Sequence, residues 1–248
     1  MTDLKNIQSY NKNVFLLKLK SNGKQYLDIK GKLTDDEIET VKNIECDVLT
    51  FNNPFDVKKY MPKKATKIHF MNRLDELPVF PQSTKIIIFY DSCPLLDNLP
   101  ENLVVLDVGY SYNRDISLLP ESLKLLRLGA QFSHPLENLP IGLEALILDG
   151  RFNGNILNIP HKLKYLVINY KLFEKYSLKL KLKLKQLILL KCPNPYSDFI
   201  ITYCKLFSEE VIIVNNSSTN GLWKQYHCFG GYFRHDLDNY LNSFGISY

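Results

Sequence analysis

The chain has 248 residues, of which 45% are hydrophobic and 23% are charged, so it can form one large globular domain or two small ones. Its net charge of +5 at pH 7 is too balanced to indicate nucleic-acid binding by itself. The five cysteines are scattered and form no CxxC pair, which argues against a disulfide framework and favours an intracellular, cytoplasmic protein. The polar N-terminus and the lack of any apolar stretch of about 18 residues predict neither a signal peptide nor a membrane span.

The first 45 residues contain a hairpin pattern followed by a helix pattern. Apolar and polar residues alternate through VFLLKLKSNGKQYLDIKGKL (14–33) on both sides of Asn22-Gly23, a dipeptide typical of tight hairpin turns. The segment TDDEIETVKNI (34–44) has Thr34 as N-cap and Glu37 at the capping-box position, which predicts a short helix. Because a stack of repeats needs its open first coil covered, we expect residues 1–45 to be an N-terminal hairpin-helix cap for the repeats that follow.

A repeat of about 20 residues runs through residues 46–191. Leu-Pro pairs stand at 99/100, 119/120 and 139/140, and Ile-Pro stands at 159/160. Each pair precedes a short apolar core: NLVVLDV (102–108), SLKLLRL (122–128), GLEALIL (142–148) and KLKYLVI (162–168), with looser copies at 66–70, 84–89 and 183–189. The cores are too short for helices and predict strands, while the proline before each one imposes a turn. One unit cannot bury its leucines alone, so the period predicts parallel strands stacked into a solenoid.

The segment LPESLKLLRLGAQFSHPL (119–136) combines the L-x-x-L-x-L pattern of leucine-rich repeats with a following Phe-x-x-Pro-Leu. It resembles the FNIP repeat, a leucine-rich-repeat relative of amoebae and of the giant viruses that infect them. The resemblance covers residues 46–191 and implies an α/β repeat protein: a leucine-rich-repeat-like solenoid with a parallel β-sheet on its concave face, capped at both ends. Phe132 and Phe152, one period apart, are expected to stack in the convex back of the coils.

Some FNIP-repeat relatives carry an F-box, a helical segment that docks onto a ubiquitin-ligase scaffold. The N-terminal segment of this chain has no such helical, Leu-Pro-led pattern. A ubiquitin-ligase adaptor role is therefore an alternative that rests on family analogy alone.

Residues 192–248 break the repeat and are rich in aromatic side chains. EEVIIV (209–214) is one more strand candidate. The tail beyond it holds the chain's single tryptophan and many other rings, namely Trp223, Tyr226, Phe229, Tyr232, Phe233, Tyr240 and Phe244. We expect residues 192–248 to form an aromatic-rich C-terminal cap on the last coil, and the alternative is an exposed partner-binding segment.

Motifs of catalysis are missing from the sequence. It contains no nucleotide-binding loop, metalloprotease motif, nucleophile elbow or paired-cysteine zinc pattern. His227, Cys228 and His235 are the one cluster of metal-ligand residue types, and their spacing matches no known zinc pattern. The acidic residues show no pairing suited to acid–base catalysis. We therefore expect a non-enzymatic protein without a cofactor, a metal or a small-molecule substrate.

The expected concave face is the most informative surface for function. Because strand side chains alternate, positions three and five of each core point away from the repeat core, and we expect them to be exposed. Most are apolar, and a large exposed apolar patch marks an interaction site. The pattern predicts a protein–protein interaction module whose partner-binding residues are Val105, Asp107, Leu125, Arg127, Ile147, Tyr165 and Val167. Asp107 and Arg127 are placed to pair with each other or to fix the register of a partner. The alternative is that a terminal segment folds over part of this face.

A second candidate surface is the alternating segment SLKLKLKLK (177–185). In a strand, its four lysines would share one face and form a basic stripe for nucleic acid or an anionic surface: Lys179, Lys181, Lys183 and Lys185. The alternative is the solvated face of a degenerate coil. We favour that alternative because no aromatic residues interleave with the lysines and the net charge is small.

Overall fold

The computed structural model describes residues 7–9, 14–18, 23–52, 57–192 and 198–214. Within these residues the chain forms one sheet of twelve strands, which lie side by side in the order in which they occur in the sequence. The strands are β1 (Ile7–Ser9), β2 (Val14–Lys18), β3 (Gln25–Ile29), β4 (Glu45–Phe51), β5 (Lys64–Phe70), β6 (Ile86–Phe89), β7 (Val105–Asp107), β8 (Leu125–Leu128), β9 (Ala145–Leu148), β10 (Tyr165–Asn169), β11 (Leu184–Leu190) and β12 (Ser208–Val214).

Helices are few and short in the described part of the chain. They are α1 (Asp35–Lys42), α2 (Tyr170–Tyr176) and α3 (Asp198–Cys204), with two 3₁₀ turns at Val57–Lys59 and Ser177–Lys179. None of the helices found there has both the length and the apolar character needed to cross a membrane.

Ten of the twelve strands run parallel to one another. β1, β2 and β3 pair antiparallel, whereas every pair from β3–β4 to β11–β12 is parallel. Parallel neighbours cannot be joined by a tight turn, so each strand is followed by a longer return segment before the next one begins. The result is an α/β repeat-like arrangement, as the period of the sequence predicts.

The predicted hairpin and helix of the N-terminal segment are confirmed. β2 and β3 pair with Val14 opposite Ile29. Ahead of α1, the Thr34 hydroxyl accepts a hydrogen bond from the Glu37 N–H at 3.4 Å, and the Glu37 carboxylate accepts one from the Thr34 N–H at 2.7 Å. Two backbone donors at the start of the helix are thereby satisfied. Since β3 also pairs parallel with β4, the parallel sheet begins inside residues 1–45.

The twenty-residue units are closed by a repeated turn. One backbone hydrogen bond of 3.0–3.2 Å recurs, from the N–H three residues after each proline to the carbonyls of Pro81, Pro100, Pro120, Pro140 and Pro160. The turn delivers each strand in the same register, so that one column of leucines runs across the sheet: Leu106, Leu126, Leu146, Leu166 and Leu187. Pro81 makes this turn although its Phe-Pro pair lies one residue off the period.

The main core lies on the sheet face that this leucine column lines. The rings of Tyr112, Phe132 and Phe152 stack within it, with centroid distances of 6.4 Å and 6.0 Å between successive rings. The predicted stacking of Phe132 on Phe152 is therefore confirmed. Leu172 and Phe173 of α2 and Cys204 of α3 belong to the same core. Both of these helices thus pack on one side of the sheet.

The predicted strand at 209–214 is confirmed as β12, which places Ile212 opposite Ile188 of β11. The parallel sheet therefore continues beyond residue 191. Residues 215–248, which carry most of the predicted aromatic cap, lie outside the described residues.

Candidate functional site

The seven predicted partner-binding residues lie together on the sheet face opposite the main core. Two columns of side chains in register make up this surface, which we name the second face. They are Lys67, Ile86, Val105, Leu125, Ala145, Tyr165 and Gln186, and His69, Ile88, Asp107, Arg127, Ile147, Val167 and Ile188. The stacking of the turns positions all of them, because every strand from β5 to β11 enters the sheet in the same register.

The expected exposure of these residues is wrong. The exposed fractions of the seven predicted residues range from 2% at Val105 to 9% at Tyr165, and the apolar ones form a second hydrophobic cluster. The alternation rule assumes that one face of the sheet is solvated, which suits antiparallel sheets. Parallel sheets are covered on both faces, and their strands are continuous apolar runs. The segments IIIF (86–89) and ALIL (145–148) carried that signal.

Asp107 and Arg127 form an ion pair at the centre of the second face. The Arg127 Nη1 atom lies 2.8 Å from each carboxylate oxygen of Asp107, and the Gly109 N–H donates to Asp107 Oδ1 at 3.0 Å. Burial raises the pKa of the Asp107 carboxyl, while the guanidinium and the Gly109 N–H act in the opposite direction. The predicted pairing is confirmed, and the pair is buried within the apolar cluster.

Two polar residues of the second face were missed in the sequence. Lys67 and His69 of β5 continue the columns past Ile86 and Ile88, and both are buried. His69 Nδ1 lies 3.4 Å from the Tyr90 hydroxyl. Burial lowers the pKa of Lys67 to about 7; Lys24 adds to this effect and Asp47 opposes it. Extending the register one unit upstream, through TKIHF (66–70), would have found both residues.

The four lysines of the predicted basic stripe are all exposed, and the intervening Leu180, Leu182 and Leu184 are buried. Only Lys185 lies within a strand, because β11 begins at Leu184. The stripe therefore arises mostly in the segment that leads into β11. Within the described residues, none of the four lysines pairs with a carboxylate.

Two cavities lie near the turns that precede the strands. One of about 300 Å³ is lined by charges of both signs, including Lys58, Glu76 and Arg114, and another of about 640 Å³ lies between residues 77–82 and 98–102. Neither is lined by a histidine, cysteine, serine or threonine. Burial raises the pKa of the Cys46 thiol to about 12, which keeps it protonated and unreactive at neutral pH.

Within the part of the chain that the structure describes, no group of three or more His, Cys, Asp or Glu residues is placed to hold a metal ion. His227, Cys228 and His235 lie outside those residues. Comparison with protein-family models, with curated proteins and with solved structures found no match to this chain. The FNIP resemblance stays a prediction carried by the repeat residues.

Proposed function

We propose that this chain is a leucine-rich-repeat-like solenoid, capped at both ends, that acts as a non-enzymatic protein-interaction module through its second face. The observation that carries the proposal is the in-register assembly of an apolar surface around one arginine–aspartate pair. Interface cores have this composition, since they are apolar and aromatic, poor in charges and often anchored by arginine.

Two features support the solenoid part of the proposal. The parallel strands follow one another in chain order, about 4.8 Å apart, and the same proline turn precedes five of them. The described helices α2 and α3 contribute side chains to one sheet face only. In a coil built this way the second face is the concave one, and the β1–β2 hairpin covers the edge of the first coil.

A pull-down from native lysate, read by mass spectrometry, tests the proposal. The intact chain is compared with a Leu125→Asp/Ile147→Asp variant of the second face. A matched control, Leu118→Asp/Ile141→Asp, places the same charges at two positions that are each 64% exposed. We expect at least one protein to bind the intact chain and the control and to be lost from the face variant. Because Leu125 and Ile147 are buried, circular dichroism must first show that the face variant is folded. Identical sets from all three chains would contradict the proposal.

The exposed lysine stripe supports a second candidate function, the binding of nucleic acid or an anionic surface. Binding driven by phosphates weakens steeply with salt, whereas apolar recognition barely changes. The test compares Lys181→Gln/Lys183→Gln with Lys63→Gln/Lys205→Gln, which removes two exposed lysines elsewhere. Loss of salt-sensitive binding to single-stranded DNA or to phosphatidylserine vesicles in the first variant alone would favour this function. Equal binding by both variants would reject it.

A further inference from the structure

The charge of the repeat units changes sign along the array. Residues 97–149 contain eight acidic and three basic side chains, whereas residues 150–192 contain one acidic and ten basic side chains. The one acidic residue of the second set, Glu174, accepts a hydrogen bond from the Tyr170 hydroxyl at 2.8 Å. The last repeat units are therefore strongly basic, although the net charge of the whole chain is only +5.

The lysine stripe is one half of a surface that two neighbouring units share. Tyr165 of β10 faces Gln186 of β11, and Lys162 and Lys183 each lie three residues before this facing pair. Both lysines are exposed. Because the two strands pair in register, the segments that lead into them lie side by side, and Lys162 widens the stripe. Towards β12 the basic surface ends, since Gln186 Nε2 donates a hydrogen bond to the Glu210 carboxylate at 2.7 Å.

Two leucines project from the same pair of segments. Leu157 and Leu178 each lie eight residues before the facing pair, and their exposed fractions are 41% and 83%. The nearby Ile159 and Leu180 are buried in the main core, so the chain already has its inward-facing residues at this turn. In the three preceding units the same repeat position holds polar residues, namely Asp97, Ser117 and Glu137. Exposed leucine and excess positive charge therefore occur together, in the last two units of this part of the array.

This combination fits an anionic membrane surface better than nucleic acid. Lysines near a bilayer are attracted by anionic headgroups, and adjacent exposed leucines enter the boundary between headgroups and acyl chains. Single-stranded nucleic acid is held instead by exposed aromatic rings that stack on its bases. The tyrosines of α2, Tyr170 and Tyr176, are half-buried. The first bonds to Glu174, and the ring centre of the second lies 4.9 Å from the Lys175 ammonium.

We propose that the surface formed by Leu157, Leu178, Lys162 and the lysine stripe docks on a bilayer that contains anionic lipids. The lysines lie against the headgroups, and the two leucines insert at the acyl boundary. The inference rests on the second candidate function, the binding of anions by the stripe, and names a lipid surface as the partner. It involves no residue of the second face.

Sedimentation of the full chain with vesicles tests the insertion of the leucines. The vesicles are phosphatidylcholine with about 30% phosphatidylserine, or phosphatidylcholine alone. Leu157→Ser/Leu178→Ser is compared with a matched control, Leu95→Ser/Leu118→Ser, at two leucines of earlier units that are 52% and 64% exposed. We expect the first variant to bind the anionic vesicles about tenfold more weakly and the control to bind them as the intact chain does. Equal binding by all three chains would overturn the proposal.

The charge and the class of partner are tested in parallel. Lys181→Gln/Lys183→Gln is expected to weaken binding to the anionic vesicles about 25-fold, since each lysine near such a surface contributes about fivefold. The intact chain is expected to bind phosphatidylcholine alone and single-stranded DNA far more weakly than the anionic vesicles. Salt-sensitive binding to the DNA that exceeds binding to the vesicles would overturn the lipid assignment and leave the second candidate function standing. Binding to neither would reject both.

Discussion

Asp107 and Arg127 place two opposite charges inside an apolar cluster, where each charge depends on the other. Taking either ion out of water costs several kcal/mol, and the attraction between them offsets that cost only while the geometry is intact. The two 2.8 Å contacts and the Gly109 N–H supply such geometry. The intact pair therefore adds little net stability, but the loss of either partner leaves a buried charge without compensation.

Removing one member of this pair is expected to cost more than removing both. Arg127→Met leaves a buried carboxylate without its guanidinium, and we expect a loss of about 3–5 kcal/mol in the free energy of unfolding. The Asp107→Leu/Arg127→Met double variant is expected to recover most of that loss. Urea denaturation of the three chains measures the difference. A double variant less stable than Arg127→Met would contradict this account.

The buried Lys67 links stability to pH. Its pKa is about 7 in the folded chain and near its ordinary value of 10.5 in the unfolded chain. Between these values the unfolded chain binds more protons, so the free energy of unfolding rises with pH. We expect the free energy of unfolding to increase from pH 7 to about 8.5. Above that range, buried thiols contribute with the opposite sign.

Lys67→Met is expected to flatten this pH dependence, whereas Lys63→Met, at an exposed position, is expected to keep it. Urea denaturation at several pH values checks the slopes, and equal slopes in both variants would refute the assignment to Lys67.

At the scale of elements, successive turns approach one another so closely that Gly109 and Gly129 have no room for a side chain. A Cβ atom on Gly129 would lie 2.0 Å from the Gly109 carbonyl oxygen and 2.7 Å from the Tyr110 Cα. Both contacts are to backbone, which cannot move without separating β7 from β8. Gly142 lies in the next unit, in the turn before β9. A Cβ atom there would lie 3.3 Å from the flexible end of the Lys124 side chain and 3.5 Å from the Glu121 carbonyl oxygen.

Alanine at these two glycines is expected to have opposite consequences. Gly129→Ala should lower the free energy of unfolding by about 3 kcal/mol, the upper end of typical overpacking costs. Gly142→Ala should leave it unchanged or raise it by up to about 1 kcal/mol, because alanine restricts the unfolded chain. Thermal unfolding followed by circular dichroism compares the two variants. Similar melting temperatures for the two variants would contradict the close backbone contact between the turns at Gly109 and Gly129.

The elements differ in how far the sequence predicted them. The strand cores between 102 and 168 were predictable because leucine spacing and the proline turn favour the same structure. Helix α2 was not predicted: it begins directly after β10, where the Asn169 side chain accepts a hydrogen bond from the Lys171 N–H at 2.9 Å. In the sequence, Asn169 directly follows the apolar residues of a strand core, so the start of a helix at this position is not apparent. The residues of the second face were predicted as a set, but their burial was not, because the alternation rule assumes a solvated face and a parallel sheet is buried on both faces.

At the scale of the whole molecule, each strand contacts chiefly its two neighbours in the chain. Stability in such an array is a sum of unit terms and nearest-neighbour terms, and the ends have one neighbour fewer. The strands at the two ends of the sheet therefore unfold locally at a lower free energy than the strands at its centre.

Native-state hydrogen exchange should reveal this gradient. We expect the amides of β6 and β7, at the centre of the twelve strands, to exchange slowest, and those of β1 and β12 fastest. The comparison uses only amides bonded within the sheet, so that loop amides do not enter it. Equal protection from edge to centre would indicate a single cooperative unit and would contradict the nearest-neighbour description.

The constant spacing of the proline turns also has a consequence for how the gene for such a chain can change. From β7 to β10 each residue faces the one twenty positions later, as Val105 faces Leu125 and Leu125 faces Ala145. An in-frame duplication or loss of one whole unit thus preserves every remaining pairing. It lengthens or shortens the second face by about 4.8 Å and two side chains. Length is therefore a trait that recombination can adjust in discrete steps, without redesigning the turn, the strand or the core.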